Sequence, residues 1–164
     1  MEETGRKGIA VRKAAPGDMG GLQRLLAHIS ELHHIGRPDI FTGGASKYNE
    51  AELKEILGDA DRPVFVAADS AGSVLGYCFC IVKRNAGHAV IKDYTSLYID
   101  DFCVGEECRR QGVGKMLFDA AKKYAASINA YEIDLNVWEF NEGAIKFYER
   151  CGFKTQRRHM EYFL

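Results

Sequence analysis

The spacing of hydrophobic positions changes period several times along the chain. Ile9-Ala10-Val11-Arg12-Lys13-Ala14 reads as a short strand that Pro16-Gly17-Asp18 breaks. Leu22, Leu25, Leu26, Ile29 and Leu32 then recur at helical spacing, which predicts a helix over residues 18–35. Arg37-Pro38-Asp39 ends it, because the residue before a proline is pushed out of the α region. A loop with Gly43-Gly44 leads to a second, short helix over Asn49–Leu57, with Leu53, Ile56 and Leu57 on one face. Pro63–Ala68 and Val74–Val82 are apolar strands, and Asp69-Ser70-Ala71-Gly72-Ser73 between them has hairpin composition. Asn85-Ala86-Gly87 turns the chain into a longer strand over Tyr94–Val104.

The period then switches. Val113, Met116, Leu117, Ala120, Ala121 and Tyr124 form one stripe of an amphipathic helix. Tyr131–Trp138 alternates, with Tyr131, Ile133, Leu135 and Val137 on one face and Glu132, Asp134 and Asn136 on the other. Asn141 can cap a helix over residues 142–151, and Gly152 stands where such a helix needs a left-handed residue. Phe153–Phe163 is predicted as a closing strand. The chain thus reads as one mixed α/β (α+β) domain over residues 1–164, without repeat or linker.

Composition narrows the function classes. With 164 residues there is room for one domain. Lys plus Arg number 22 and Asp plus Glu 23, so the net charge of −1 argues against a bulk nucleic-acid or membrane-surface binder. A local basic patch stays open. Five cysteines (Cys78, Cys80, Cys103, Cys108 and Cys151) make an odd count without CxxC spacing, against both a disulfide framework and a zinc site. Cys78 and Cys80 would share one strand face as small buried hydrophobes. Residues 1–8 lack an apolar leader core, and the longest apolar run, Tyr77–Val82, is far too short for a membrane span. A reducing cytoplasm is the expected setting.

The glycines, 17 against 3 prolines, direct attention to one loop. Phe102-Cys103-Val104 ends a strand, and Arg109-Arg110-Gln111-Gly112-Val113-Gly114-Lys115 opens the amphipathic helix. A helix N-terminus offers unpaired N–H groups and partial positive charge. Arg109, Arg110 and Lys115 add to it, which makes an anion site for a diphosphate. A surface turn with structural glycines remains the alternative on spacing alone. A Walker A loop and a dinucleotide fingerprint are both absent.

Arg109-x-x-Gly112-x-Gly114 in that setting resembles the coenzyme A pyrophosphate loop of the GNAT acyltransferases. Downstream, Asn141-Glu142-Gly143-Ala144-Ile145-Lys146-Phe147-Tyr148-Glu149-Arg150-Cys151-Gly152-Phe153 is similar to the closing helix of that superfamily. The resemblance covers residues 62–155. It implies a mostly antiparallel sheet of six to seven strands with about four helices, whose splayed central strands hold acyl-CoA. It further implies that Phe102, Cys103 and Val104 offer backbone groups to the pantetheine. Amides from Arg109 through Gln111, Gly112, Val113 and Gly114 to Lys115 would hold the pyrophosphate. Asn141 would bind the pantetheine or adenosine, and Tyr148 would stand by the thioester sulfur.

Acetyl transfer from acetyl-CoA then sets chemical demands. About one lysine-type amine in 2,500 is neutral at pH 7, worth on the order of 4–5 kcal/mol, so a base is valuable. The departing thiolate needs a proton donor. Tyr148 is the expected acid. Asp100 and Asp101, adjacent on a strand, are expected to point to opposite faces, and Asp100 aligns with a carboxylate of polyamine-acetylating relatives. Asp100 is therefore the expected base, with Tyr98 in reserve or a water chain between. His33, Tyr98 and Asp100 are the expected acceptor contacts. His88 and His159 have no second ligand at metal spacing. The acceptor is read as a small cationic amine, with a protein α-amine or lysine as the alternative and a catalytically silent CoA-binding domain as the other class. A homodimer through the C-terminal strand is left open.

Overall fold

The computed structural model describes residues 8–164. The stretch read for a missing leader lies, but for Gly8, outside the described residues. The chain runs β1 (Ile9–Lys13), a 3-10 turn (Pro16–Asp18), α1 (Met19–Gly36), α2 (Glu50–Gly58), β2 (Val64–Asp69), β3 (Val74–Asn85) and β4 (Tyr94–Val104). A second 3-10 turn (Glu106–Cys108), α3 (Val113–Ser127), β5 (Glu132–Leu135) and α4 (Glu142–Arg150) complete it. None of these helices is long and apolar enough to cross a membrane.

Each helix forms where its stripe has a sheet face to cover. Among the described residues the sheet has five strands in chain order, antiparallel throughout except for parallel β4 and β5. Alternation along β3 sends Cys78 and Cys80 to one face and Tyr77 and Phe79 to the other. Val113, Leu117, Ala121 and Ala125 of α3 close the first face. Leu22, Leu25 and Leu26 of α1, with Leu53 and Ile56 of α2, close the second. Burying each such side chain contributes about 1.5–3 kcal/mol before chain entropy is charged against it. The entry to α2 is fastened by a capping box. Asn49 Oδ1 accepts from Glu52 N at 2.9 Å, and Glu52 Oε2 accepts from Asn49 N at 2.8 Å.

The parallel pairing stops early. It joins Ser96–Ile99 to Glu132–Leu135 and goes no further, while β4 continues to Val104. Residues 100–104 therefore keep β3 on one side and an open edge on the other. This is the splay expected of the fold.

The closing strand is not formed: Phe153–Leu164 carries no secondary structure, so the strands among the described residues number five rather than six or seven. A strand needs a ladder partner, and this segment meets none among the described residues. It is held by side chains instead, with Arg37 donating to both Glu161 carboxylate oxygens at 2.8 and 3.0 Å. The strand through which a homodimer was envisaged is thus absent from the chain's own fold. β3 also runs through Asn85, and β5 is only four residues long.

Asp18 ties the first strand to the first helix. Arg12 donates to its two oxygens at 2.7 and 2.9 Å, and Ala15 N donates at 2.8 Å. The Arg12 hydrogen bonds hold the buried carboxyl below its ordinary range. A lowered carboxyl stabilises the fold while ionised, and that contribution is lost as pH falls through the lowered value. Asp18→Asn should cost about 1–3 kcal/mol at neutral pH. Urea melts should show a shallower loss of stability than the parent between about pH 5 and pH 2.

Candidate active site

A β-bulge decides the geometry at the open edge. Opposite β3, Phe79 faces Asp101 and Cys80 faces Ile99, so Asp100 is the extra residue. Leu97 and Ile99 lie in the α3-side core, yet Cys103 lies in the α1/α2-side core and Phe102 and Val104 pack on the α3 side. The alternation has changed phase at Asp100. Asp100 and Asp101 therefore do not point to opposite faces. Both reach the α1/α2 side, where Lys47 Nζ lies 3.1 Å from Asp100 Oδ2 and 3.7 Å from Asp101 Oδ2.

Several groups converge on this pair. Tyr48 donates its hydroxyl to Asp100 Oδ2 in a short hydrogen bond. Arg62 donates to the Tyr48 oxygen at 3.3 Å. Burial, then the Asp100 hydrogen bond, pushes the Tyr48 phenol well up, so it stays a donor. Tyr77 donates to Asp101 Oδ1 at 3.3 Å. Burial raises the Asp101 carboxyl against the pull of Lys47, and the Asp100 charge raises it further. Tyr98 lies before the bulge on the same side as Asp100, and its hydroxyl accepts from Asn136 Nδ2 at 3.1 Å. That bond crosses the gap between β4 and the end of β5. Asp134, between the core-facing Ile133 and Leu135, carries a buried Oδ1 without a hydrogen-bond partner among the described residues.

His33 stands at the rim, stacked on Phe41 at 5.0 Å and edge-on to Phe140 at 6.2 Å. Phe41 meets Trp138 at 5.3 Å, and Trp138 meets Phe140 at 6.1 Å. These rings join the end of α1 to the loop after β5. Burial, then Lys47, lowers the His33 imidazole, which keeps it neutral near pH 7.

On the other side of β4, Tyr148 of α4 packs at 6.1 Å from Phe102 and 5.5 Å from Phe153. Burial, with negative charge nearby, pushes its phenol far above the usual tyrosine range. Asn141 caps α4, its Oδ1 accepting from Ala144 N at 3.2 Å.

The glycine loop opens α3 with no side-chain cap. Gly112 is the N-cap at φ +84°, a left-handed conformation that favours glycine. The first amides of α3 are left for another partner. Gly114 also has a packing role. A Cβ there would lie 3.1 Å from the Phe147 ring, so its bareness lets α4 close on α3. Arg109 Nε donates to Val104 O at 3.3 Å, and Gln111 Nε2 donates to Glu107 O at 2.8 Å. Lys115 is paired with Asp119 at 2.6 Å, the Val113 side chain packs into the core, and Arg109 and Arg110, the latter at φ +61°, are exposed.

Comparison with known proteins decides the family. Residues 29–153 match the Acetyltransferase (GNAT) family. The chain belongs to that family. This GNAT chain is 32% identical over 96 residues to an L-ornithine N5-acetyltransferase of Arabidopsis thaliana, covering 58% of the chain and 41% of that protein. It is 28% identical over 110 residues to a peptidyl-lysine N-acetyltransferase of Salmonella typhimurium, covering 66% of the chain and 63% of that protein. In both cases the match spans less than two thirds of the relative. A mutant BH1408 protein from Bacillus halodurans superposes with a TM-score of 0.90 at 27% identity, covering 94% of the chain and 98% of that structure.

Sequence reading missed Lys47, Tyr48, Tyr77 and the ring wall of Phe41, Trp138 and Phe140. One signal was present. Tyr48 directly precedes the Asn49–Glu52 capping box, where an apolar residue staples the helix entry, and it packs on Phe79 at 5.7 Å.

Proposed function

We propose that this GNAT chain moves an acetyl group from acetyl-CoA to the primary amine of a small cationic acceptor, by direct attack in a ternary complex. The observation that carries the reading is the bulge, which turns two carboxylates to one side of an open strand edge. Acetyl-CoA as co-substrate supplies an acyl group activated as a thioester. The chain's residues fit it: open backbone at Phe102, Cys103 and Val104, uncapped amides from Gly112 to Lys115, and the guanidinium groups of Arg109 and Arg110. Asn141 keeps its amide nitrogen for the same ligand while its oxygen caps α4.

The acceptor's positive charge favours the side that holds Asp100, Asp101 and Asp134. The acceptor nitrogen bonds the acetyl carbon and the carbon–sulfur bond breaks. The proton leaving nitrogen passes to Asp100, directly or through water, with Tyr98 in reserve. The sulfur takes the proton of Tyr148, whose burial keeps it protonated. The relative that acetylates ornithine, itself a small cationic amine, supports this acceptor class. The relative named for peptidyl-lysine keeps a protein lysine as the second reading.

A panel of diamines, amino acids, aminoglycosides and lysine peptides, assayed for free CoA thiol, tests the proposal. Turnover should be highest with a small amine that carries a second positive charge. Tight CoA binding with no turnover on any acceptor would instead identify a silent CoA-binding domain.

A further inference from the structure

We infer that Lys47 fills the ammonium subsite of the acceptor and has to leave before the acceptor amine can enter. The inference rests on the cationic-amine reading above and adds a built-in competitor to it. An ammonium has three N–H groups to satisfy. Lys47 Nζ donates to the Asp100 carbonyl at 2.8 Å and stands in ion-pair range of two carboxylate oxygens, Asp100 Oδ2 at 3.1 Å and Asp101 Oδ2 at 3.7 Å. The carbonyl belongs to the bulged residue, so the three oxygens are brought together by the same extra residue that turns both carboxylates one way. This is a site shaped for one alkylammonium, and the chain's own alkylammonium occupies it.

The tether permits release. Residues 42–47 are exposed, and the Lys47 side chain keeps 37% of its surface in water. Gly44, at φ +70°, lies three residues before it. Tyr48, the next residue, is by contrast pinned by Asp100, Arg62 and Phe79. Lys47 can therefore swing into solvent while the wall of the site stays in place. Exchanging one ammonium for another changes little energy by itself. Affinity in the wild-type protein must then come from the remainder of the acceptor, which selects molecules that bring more than a lone amine.

The test is calorimetric titration of the short diamine putrescine into the protein without acetyl-CoA. Lys47→Met should bind it at least about tenfold more tightly than wild type, a change of about 1.4 kcal/mol. Lys47→Arg, which keeps a cation in the slot, should bind it no more tightly than wild type. In wild-type protein with isotope-labelled lysine side chains, the Lys47 ammonium resonance should move as the diamine saturates. This second readout holds even where a variant fails to fold. Equal or weaker diamine binding by Lys47→Met, or a Lys47 resonance that stays still at saturation, overturns the inference. The amine panel reads the transferase separately: turnover with an unmoved Lys47 removes the competitor and leaves the enzyme reading standing. No turnover combined with tighter binding by Lys47→Met supports the ammonium slot and removes the transferase reading.

Discussion

Asp100→Asn is expected to lower kcat/KM for the preferred amine by about a hundredfold or more, the lower range for a positioned base. The substitution keeps the side chain's size and one oxygen for Tyr48, and Asp101 remains to hold Lys47. The acidic limb of the kcat/KM profile should vanish with the activity. A limb that survives, together with loss of turnover in Tyr98→Phe, would move the base to the Tyr98 hydroxyl. Asp101→Asn is the control for charge alone. Its carboxyl is held by Tyr77 and faces the Lys47 ammonium, so removing its charge should alter acceptor affinity more than the rate of proton transfer.

Tyr148→Phe should keep acetyl-CoA affinity and lower kcat by about tenfold or more, because the sulfur then leaves without a fixed donor. The ring contacts with Phe102, Phe147 and Phe153 survive the change, so packing is preserved. Burial favours the neutral phenol, and Tyr148 stays protonated throughout an ordinary assay range. A basic limb in the wild-type profile must then belong to another group. Unchanged kcat across the pH range would remove Tyr148 from the mechanism.

The elements were legible wherever one residue period ran uninterrupted. The Leu22–Leu32 stripe of α1, the Val113–Tyr124 stripe of α3 and the alternating Cys78/Cys80 and Tyr77/Phe79 of β3 all found the faces their spacing implied. The C-terminal strand was not legible, because strand composition in Phe153–Phe163 says nothing about whether a neighbour is available. The placement of the candidate site was legible where local sequence sets the backbone, as in the glycine loop, which opens α3 at a left-handed Gly112. It was illegible where a break in period mattered. Nothing in Tyr98-Ile99-Asp100-Asp101-Phe102 marks the residue that is left out of the ladder. Lys47 and Tyr48 reach the acids across 53 and 52 positions of chain, a distance no local pattern spans.

The bulge at Asp100 makes the site a matter of residue count as much as residue identity. Deleting one position from β4 would keep nearly every letter of the strand and rotate half of it by a half-turn. An acid would then be driven among Leu97, Ile99 and Leu117, or Phe102 pulled away from Tyr148. Grafting an Asp-Asp pair onto a regular strand of a related scaffold would correspondingly deliver one carboxylate to the cleft and bury the other. Transplanting this acceptor site therefore means moving an irregular backbone, with its extra residue, before moving any side chain.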